Sequence, residues 1–163
     1  MRSFSNLWYW IGLAVIWSTV SHWVLGVPFD MIQRARRYGD QADRDFEDMV
    51  RINVNRLALI NRISGSLLVV FGSGALSALA LLGFAYRIEF AQALFLLAFP
   101  LSIVGALSFK AAHSIRDSDL SGEDLKKRLI RHRFWCQMVG VLALVTTAFW
   151  GMYQNLSVYG LGI

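Results

Sequence analysis

Charged residues are missing from four long stretches of this chain, and their absence is its clearest structural signal. The uncharged runs cover residues 7–27, 63–86, 90–109 and 134–153. At 1.5 Å per residue, a helix over any of them is about 30 to 36 Å long, enough to cross a hydrocarbon core of about 30 Å. With 56% hydrophobic residues, the sequence predicts an all-α integral membrane protein. We expect one membrane domain over residues 1–163, built as a four-helix bundle.

Other scarcities exclude several classes of function. A single cysteine, Cys136, cannot form an intramolecular disulfide. Paired carboxylates, a nucleotide loop, metal-spaced cysteines and a nucleophile elbow are all missing, so we predict no catalytic residue, no metal site and no cofactor. No acidic residue lies inside a predicted span, which argues against a proton-coupled transporter. The pI of about 9.8 comes without a nucleic-acid reading motif, so we expect no nucleic-acid partner.

The basic residues predict the orientation in the membrane. Residues 28–62 and 110–133 hold seven Lys and Arg each, whereas Arg2 and Arg87 are the only others, a split of fourteen to two. Basic residues concentrate in short cytoplasmic loops. We therefore expect both long loops in the cytoplasm and both termini outside.

A charged helix is predicted to run directly into the second span. Its polar side chains fall within one narrow stripe, and Phe46 and Val50 lie on the opposite face. We expect Asp40 to cap this helix after Gly39 ends an amphipathic segment that begins at Pro28 and lies along the inner leaflet. We call these aligned polar side chains the polar stripe and interpret them as a cytoplasmic contact surface. A solvated helix face is the alternative. The polar stripe comprises Arg44, Asp48, Arg51, Asn55 and Arg62.

The second long loop follows the same plan before the fourth span. The segment GEDLKKRLIRHRFW has acidic residues first and basic residues behind them, the charge order that a helix dipole favours. Ser121, or alternatively Asp119, could cap this helix. The sequence therefore predicts that amphipathic cytoplasmic helices extend both the second and the fourth span.

Small residues are unusually dense in the second span. In lipid, small side chains let helix backbones approach closely and are a main source of helix association. We predict a helix-packing interface here, against another span of the same subunit or against a different chain, including a second copy. Its residues, the small-residue face, are Gly65, Gly72, Ser73, Gly74, Ser77 and Ala78.

Two of the three histidines fall where a cofactor could bind. His22 lies within the first uncharged run and His113 just past the third. Neutral imidazole is a common axial haem ligand, so this pair is a candidate for haem or quinone binding. Packing or a hydrogen bond at the membrane interface is the alternative for each histidine.

Two family resemblances add to these expectations. The stretches LWYWIGLAVIWSTVSHWVLGVPFDMIQRARR and FEDMVRINVNR, with the four-span layout, resemble small bacterial inner-membrane proteins labelled as a component of the SufBCD iron–sulfur assembly complex. That resemblance implies a bacterial inner-membrane location, although this chain lacks cluster-ligating cysteines. The MAPEG family of glutathione-dependent membrane enzymes is similar at Phe46, Glu47, Arg51 and Asn55. That resemblance implies that Arg131 or Arg133 of this chain would stabilise a thiolate. The family has an acidic residue at the position where this chain has Ala58, so the two patterns differ there.

The leading hypothesis from the sequence is a non-catalytic accessory or scaffold subunit of a larger inner-membrane complex. Its partners would be the lipid bilayer and that complex, or further copies of the chain. A MAPEG-like glutathione-dependent enzyme and a haem- or quinone-binding membrane anchor are the alternatives.

Overall fold

The computed structural model describes residues 4–118 and 120–160, with side chains described as far as residue 156. Five helices dominate these residues, so the fold is all-α as predicted. Two short strands, β1 (Trp23–Val24) and β2 (Val27–Pro28), separate the first two helices, and a π-helical turn at Leu81–Ala85 follows the third. The helices are α1 (Leu7–His22), α2 (Phe29–Tyr38), α3 (Asp40–Ala80), α4 (Glu89–Asp117) and α5 (Gly122–Gly160).

Three of the helices, α3, α4 and α5, are long and apolar enough to cross a membrane, which indicates a multi-pass membrane protein. Helices α4 and α5 contain the uncharged runs 90–109 and 134–153, whereas the run 63–86 continues past the end of α3 through the π-helical turn to Tyr86. The charged segments before the second and fourth runs continue into them without a break, as predicted. Helix α5 begins right after Ser121, whereas Asp119, the alternative cap, lies outside the described residues. We call the end that carries residues 28–62 and 110–133 the charged end.

The helix in the first uncharged run is shorter than predicted, because it ends at His22 instead of reaching residue 27. The chain turns through Leu25 and Gly26, both with positive φ, and pairs β1 (Trp23–Val24) with β2 (Val27–Pro28). Glycine adopts positive φ at little cost, and Pro28 has no amide hydrogen for a helix. Helix α1 therefore has 16 residues and a length of about 24 Å.

Helix α2 packs against α3, α4 and α5 at the charged end. Its Ile32 and Ala35 are buried in a cluster with residues of α3, α4 and α5. The apolar face expected to lie on the inner leaflet is thus covered by this chain, because α2 folds back along α3. Gly39 ends α2 with a φ of 58°, as predicted, whereas Asp40 makes no side-chain cap at the start of α3. The cluster also contains Val24, Leu25, Val27, Phe46, Val50, Val54, Ala111, Ala112, Ile115, Leu125 and Leu129.

Helix α1 packs along α5 through a second cluster. Leu13 and Trp17 are buried there against Val104, Cys136 and Ala143. Two glycines of α5 make room for large side chains. A methyl group on Gly140 would lie 2.8 Å from the Trp17 ring, and one on Gly151 would lie 3.4 Å from Phe4 and from Trp10.

A buried amide ties the helices together at the end opposite the charged end. Gln92 of α4 donates from Nε2 to the Gly83 carbonyl at 2.8 Å. Its Oε1 accepts from Trp150 Nε1 at 3.1 Å and from Gln154 Nε2 at 2.6 Å. A methyl group on Gly83 would lie 3.0 Å from the Gln92 backbone nitrogen, so the π-helical turn and α4 approach closely.

Candidate functional site

The polar stripe lies on the exposed face of α3, opposite the buried Phe46, Val50 and Val54. Its Arg51 pairs with Asp48 through Nη2 and Oδ1 at 2.7 Å. The i,i+4 pairing of Glu47 with Arg51 that the spacing allows does not form. Glu47 Oε1 instead accepts a 2.6 Å hydrogen bond from the Gly122 amide at the start of α5. Glu47, which lies beside the stripe, therefore joins α3 to the start of α5.

A cavity of about 370 Å³ adjoins the middle of the polar stripe. Arg51, Asn55 and Asp48 line one side, and Arg116 and Ser121 line the other. Arg44 and Arg62, the two ends of the stripe, are not among the lining residues. The structure thus brings three of the five stripe residues together with the segment between α4 and α5, and this cavity is the candidate functional site. The site contains arginines, carboxylates and an amide, so it can bind both acidic and basic groups of a partner protein's surface.

A buried lysine, which follows the cavity-lining Leu125 in sequence, joins α3 to α5. Lys126 of α5 has a side chain only 5% exposed, and its Nζ lies 2.7 Å from Asp43 Oδ1 and 3.1 Å from Glu123 Oε1. Lys126 lies outside the apolar part of α5, and its hydrogen bond with Asp43 raises its pKa above the ordinary lysine value. The lysine is therefore held charged between α3 and the first turn of α5.

The small-residue face points away from the rest of the chain. A methyl group added to Gly72 or Gly74 would find open space within 4 Å, and one on Gly65 would meet only the Asn61 side chain of its own helix. Ser73 donates to the Val70 carbonyl of α3. The described residues therefore place no other helix of this chain on this face.

Close packing within the chain uses glycines that sequence reasoning did not single out. Gly83, Gly140 and Gly151 are helical positions where a methyl group would lie 2.8 to 3.4 Å from another element. They lack the dense spacing of small residues seen in α3. Their only sequence signal is that each sits in an uncharged run, which does not tell a packed glycine from a lipid-facing one.

The structure gives the two candidate haem ligands separate surroundings. His22 is exposed, with its ring 6.1 Å from that of Trp23, and His113 is exposed, with Nε2 3.8 Å from Asp117 Oδ2. The third histidine, His132, is buried, with Nε2 3.3 Å from Ser108 Oγ. It also lies 3.5 Å from the sulfur of Cys136. Among residues 4–118 and 120–160, no three His, Cys, Asp or Glu side chains group as metal ligands would.

The arginines that the MAPEG resemblance would use lie apart from Arg51 and Asn55. Arg133 donates from Nε to the Ser21 carbonyl at 3.1 Å, and its guanidinium stacks 3.7 Å above the Phe29 ring. Arg131 lines a different cavity. Neither arginine is among the residues that line the candidate site.

No family model, curated protein or solved structure matches this chain.

Proposed function

We propose that this chain is a non-catalytic accessory subunit of a larger bacterial inner-membrane complex and contacts that complex through α3. The observation that carries the proposal is the isolation of the apolar half of α3. Every residue from 66 to 75 is exposed, nearly three helical turns without a buried side. Only 6% of the most apolar stretch of α3 is buried, against 28% in α4 and in α5.

Lipid would cover such a helix equally well if its surface were uniformly bulky. The exposed part of α3 is not, because Gly72, Ser73 and Gly74 follow one another in its middle. Small residues bring helix backbones close together, and they contribute little to contacts with lipid chains. This composition supports a protein helix as the occupant of the α3 surface.

Four spans are supported by the packing of α1, despite its 16 residues. Contacts between α1 and α5 run in order over the stretch of α5 from residue 151 to residue 133, about 27 Å of helix. The first helix therefore accompanies the apolar run of α5 over almost its full depth. The paired residues are Trp10 with Gly151, Trp17 with Gly140 and Ser21 with Arg133.

The fourteen-to-two distribution of basic residues supports a cytoplasmic charged end. With four spans, both termini are then outside. The candidate site and the exposed apolar half belong to the same helix, so one partner could contact α3 both inside the membrane and at its cytoplasmic end.

A mild-detergent pull-down of the tagged chain from native membranes tests the proposal. We expect a larger protein to co-purify in fixed stoichiometry and to be lost in a Gly74→Leu variant, because the leucine side chain separates the two backbones. Ala75→Leu is the matched control, since this exposed neighbour faces about 100° away on the helix. Equal recovery with both variants would contradict the proposal. Co-purification of untagged copies alone would indicate self-association instead.

A further inference from the structure

A second cavity, of about 200 Å³, lies between α4 and α5 and is lined by cations. Lys110 of α4 faces Arg128 and Arg131 of α5 across it, and none of its lining residues is acidic. Within the described residues none of these three cations forms an ion pair, whereas Lys126 and Lys127 of the same helix do. The basic cavity therefore concentrates positive charge that the chain itself does not neutralise.

One of the residues that line the basic cavity, Arg128, has a buried donor without a partner. Arg128 Nε is inaccessible to solvent and makes no hydrogen bond with any described residue. A buried donor is unfavourable unless an acceptor reaches it. The guanidinium is planar and offers several donors, which suits the oxygens of a phosphate group.

The depth of the basic cavity matches the headgroup region of a bilayer. Lys110 is the first residue after the uncharged run 90–109, and Arg131 lies three residues before the run 134–153. Leu107 and Trp135 line the apolar side, and Trp135 is 56% exposed toward the surroundings. Tryptophan side chains favour this interface, where one part of the ring is apolar and another is polar.

We propose that the basic cavity binds the phosphate headgroup of an anionic membrane lipid. The three cations contact the phosphate, and an acyl chain runs from the cavity along Leu107 and Trp135 into the hydrocarbon core. Basic pockets between spanning helices on the cytoplasmic side are suited to such headgroups. The apolar wall distinguishes this site from one for free phosphate, which has no chain to place there.

Native mass spectrometry of the purified full chain in detergent tests this site. Dioleoylphosphatidylglycerol is titrated against dioleoylphosphatidylcholine, which has the same chains and no net charge, and against inorganic phosphate. We expect the anionic lipid to bind at least about tenfold more tightly than either competitor, in line with about 1 kcal/mol for each basic residue near the headgroups.

Two double variants separate the site from total charge. Lys110→Gln with Arg131→Gln should weaken binding of the anionic lipid about thirtyfold, because it removes two headgroup cations that contribute about 1 kcal/mol each. Arg36→Gln with Arg56→Gln removes the same charge at exposed residues outside the cavity and should bind as the unmodified chain does. Should the first pair not fold, the exposed Arg131→Gln alone should still weaken binding several-fold.

Three results would overturn the proposal. They are equal affinity for the two lipids, equal loss in both double variants, and binding of inorganic phosphate as tight as that of the anionic lipid. The last result would identify a site for free anions.

Discussion

At the scale of single residues, the buried amide of Gln92 connects several elements in the apolar part of the molecule. It joins the π-helical turn, α4 and α5 through three hydrogen bonds. Polar groups with no partner are costly where water cannot reach them. Gln92 therefore specifies how α4 and α5 align, which is a structural role.

Replacing Gln92 by Leu should lower the free energy of unfolding in detergent by about 1 to 3 kcal/mol, because the Gly83 carbonyl and the Trp150 indole lose their partner. Ser102→Ala is the control, since Ser102 is exposed and bonds only within its own helix. Denaturant titration followed by helicity measures both. A Gln92→Leu variant as stable as the control would show that the amide does not stabilise the bundle.

Gly140 should be among the least replaceable small residues of the chain. A methyl group there would lie 2.8 Å from the Trp17 ring, so Gly140→Ala must displace α1 from α5. We expect a loss of about 1 to 3 kcal/mol in the free energy of unfolding. Gly105→Ala, with open space at its methyl position, should be neutral or stabilising by up to about 1 kcal/mol. Similar thermal midpoints for the two variants would contradict the packing described here.

Residue-level roles were only partly predictable. The faces of α3 followed from helical periodicity, since its polar stripe is exposed and Phe46 and Val50 are buried. Gly140 was not predictable, because its role depends on Trp17, which is more than a hundred residues away in sequence. Local spacing drew attention to Gly72 and Gly74 instead, whose surroundings within the chain are open.

At the scale of elements, the sequence predicted that a charged segment and the apolar run after it form one continuous helix, twice in the chain. The structure confirms that α3 and α5 carry both segments in unbroken helices. The predicted end of the first helix, residue 27, lies five residues beyond its actual end at His22. Hydropathy alone does not reveal the turn at Leu25 and Gly26, because the residues around it are apolar. The apolar face of α2 was identified correctly, but amphipathicity alone does not tell a protein surface from a lipid surface.

The polar stripe yields a prediction that belongs to α3 as an element. Arg51→Lys combined with Asn55→Gln keeps charge and helix propensity but changes the reach and geometry of the donors in the candidate site. We expect normal insertion and at least a fivefold loss of the co-purifying partner, which corresponds to about 1 kcal/mol at one contact. Quantitative pull-down measures the loss.

The matched control makes the same two chemical changes elsewhere on α3. Arg56→Lys with Asn61→Gln alters exposed residues that belong neither to the polar stripe nor to the lining of the cavity. This variant should retain the partner. If both double variants retain it in full, the candidate site is not a contact surface.

At the scale of the whole molecule, the number of spans determines where the termini lie. With α1 as a span, a reporter that is active only outside the cytoplasm should be active both before Met1 and after Ile163. If α1 did not cross, the two termini would fall on opposite sides, because three spans remain. A cytoplasmic reporter at the same two positions is the control and should be silent at both.

Photo-crosslinking in native membranes tests whether a partner protein contacts the small-residue face of α3. A photoreactive side chain at Ser73 should give one discrete adduct with a larger protein, because this position lies in the small-residue face. The same group at Val141 of α5, which is 54% exposed on another surface, should give no such adduct. An adduct from Ser73 with lipid alone, or with a second copy of this chain alone, would contradict the account.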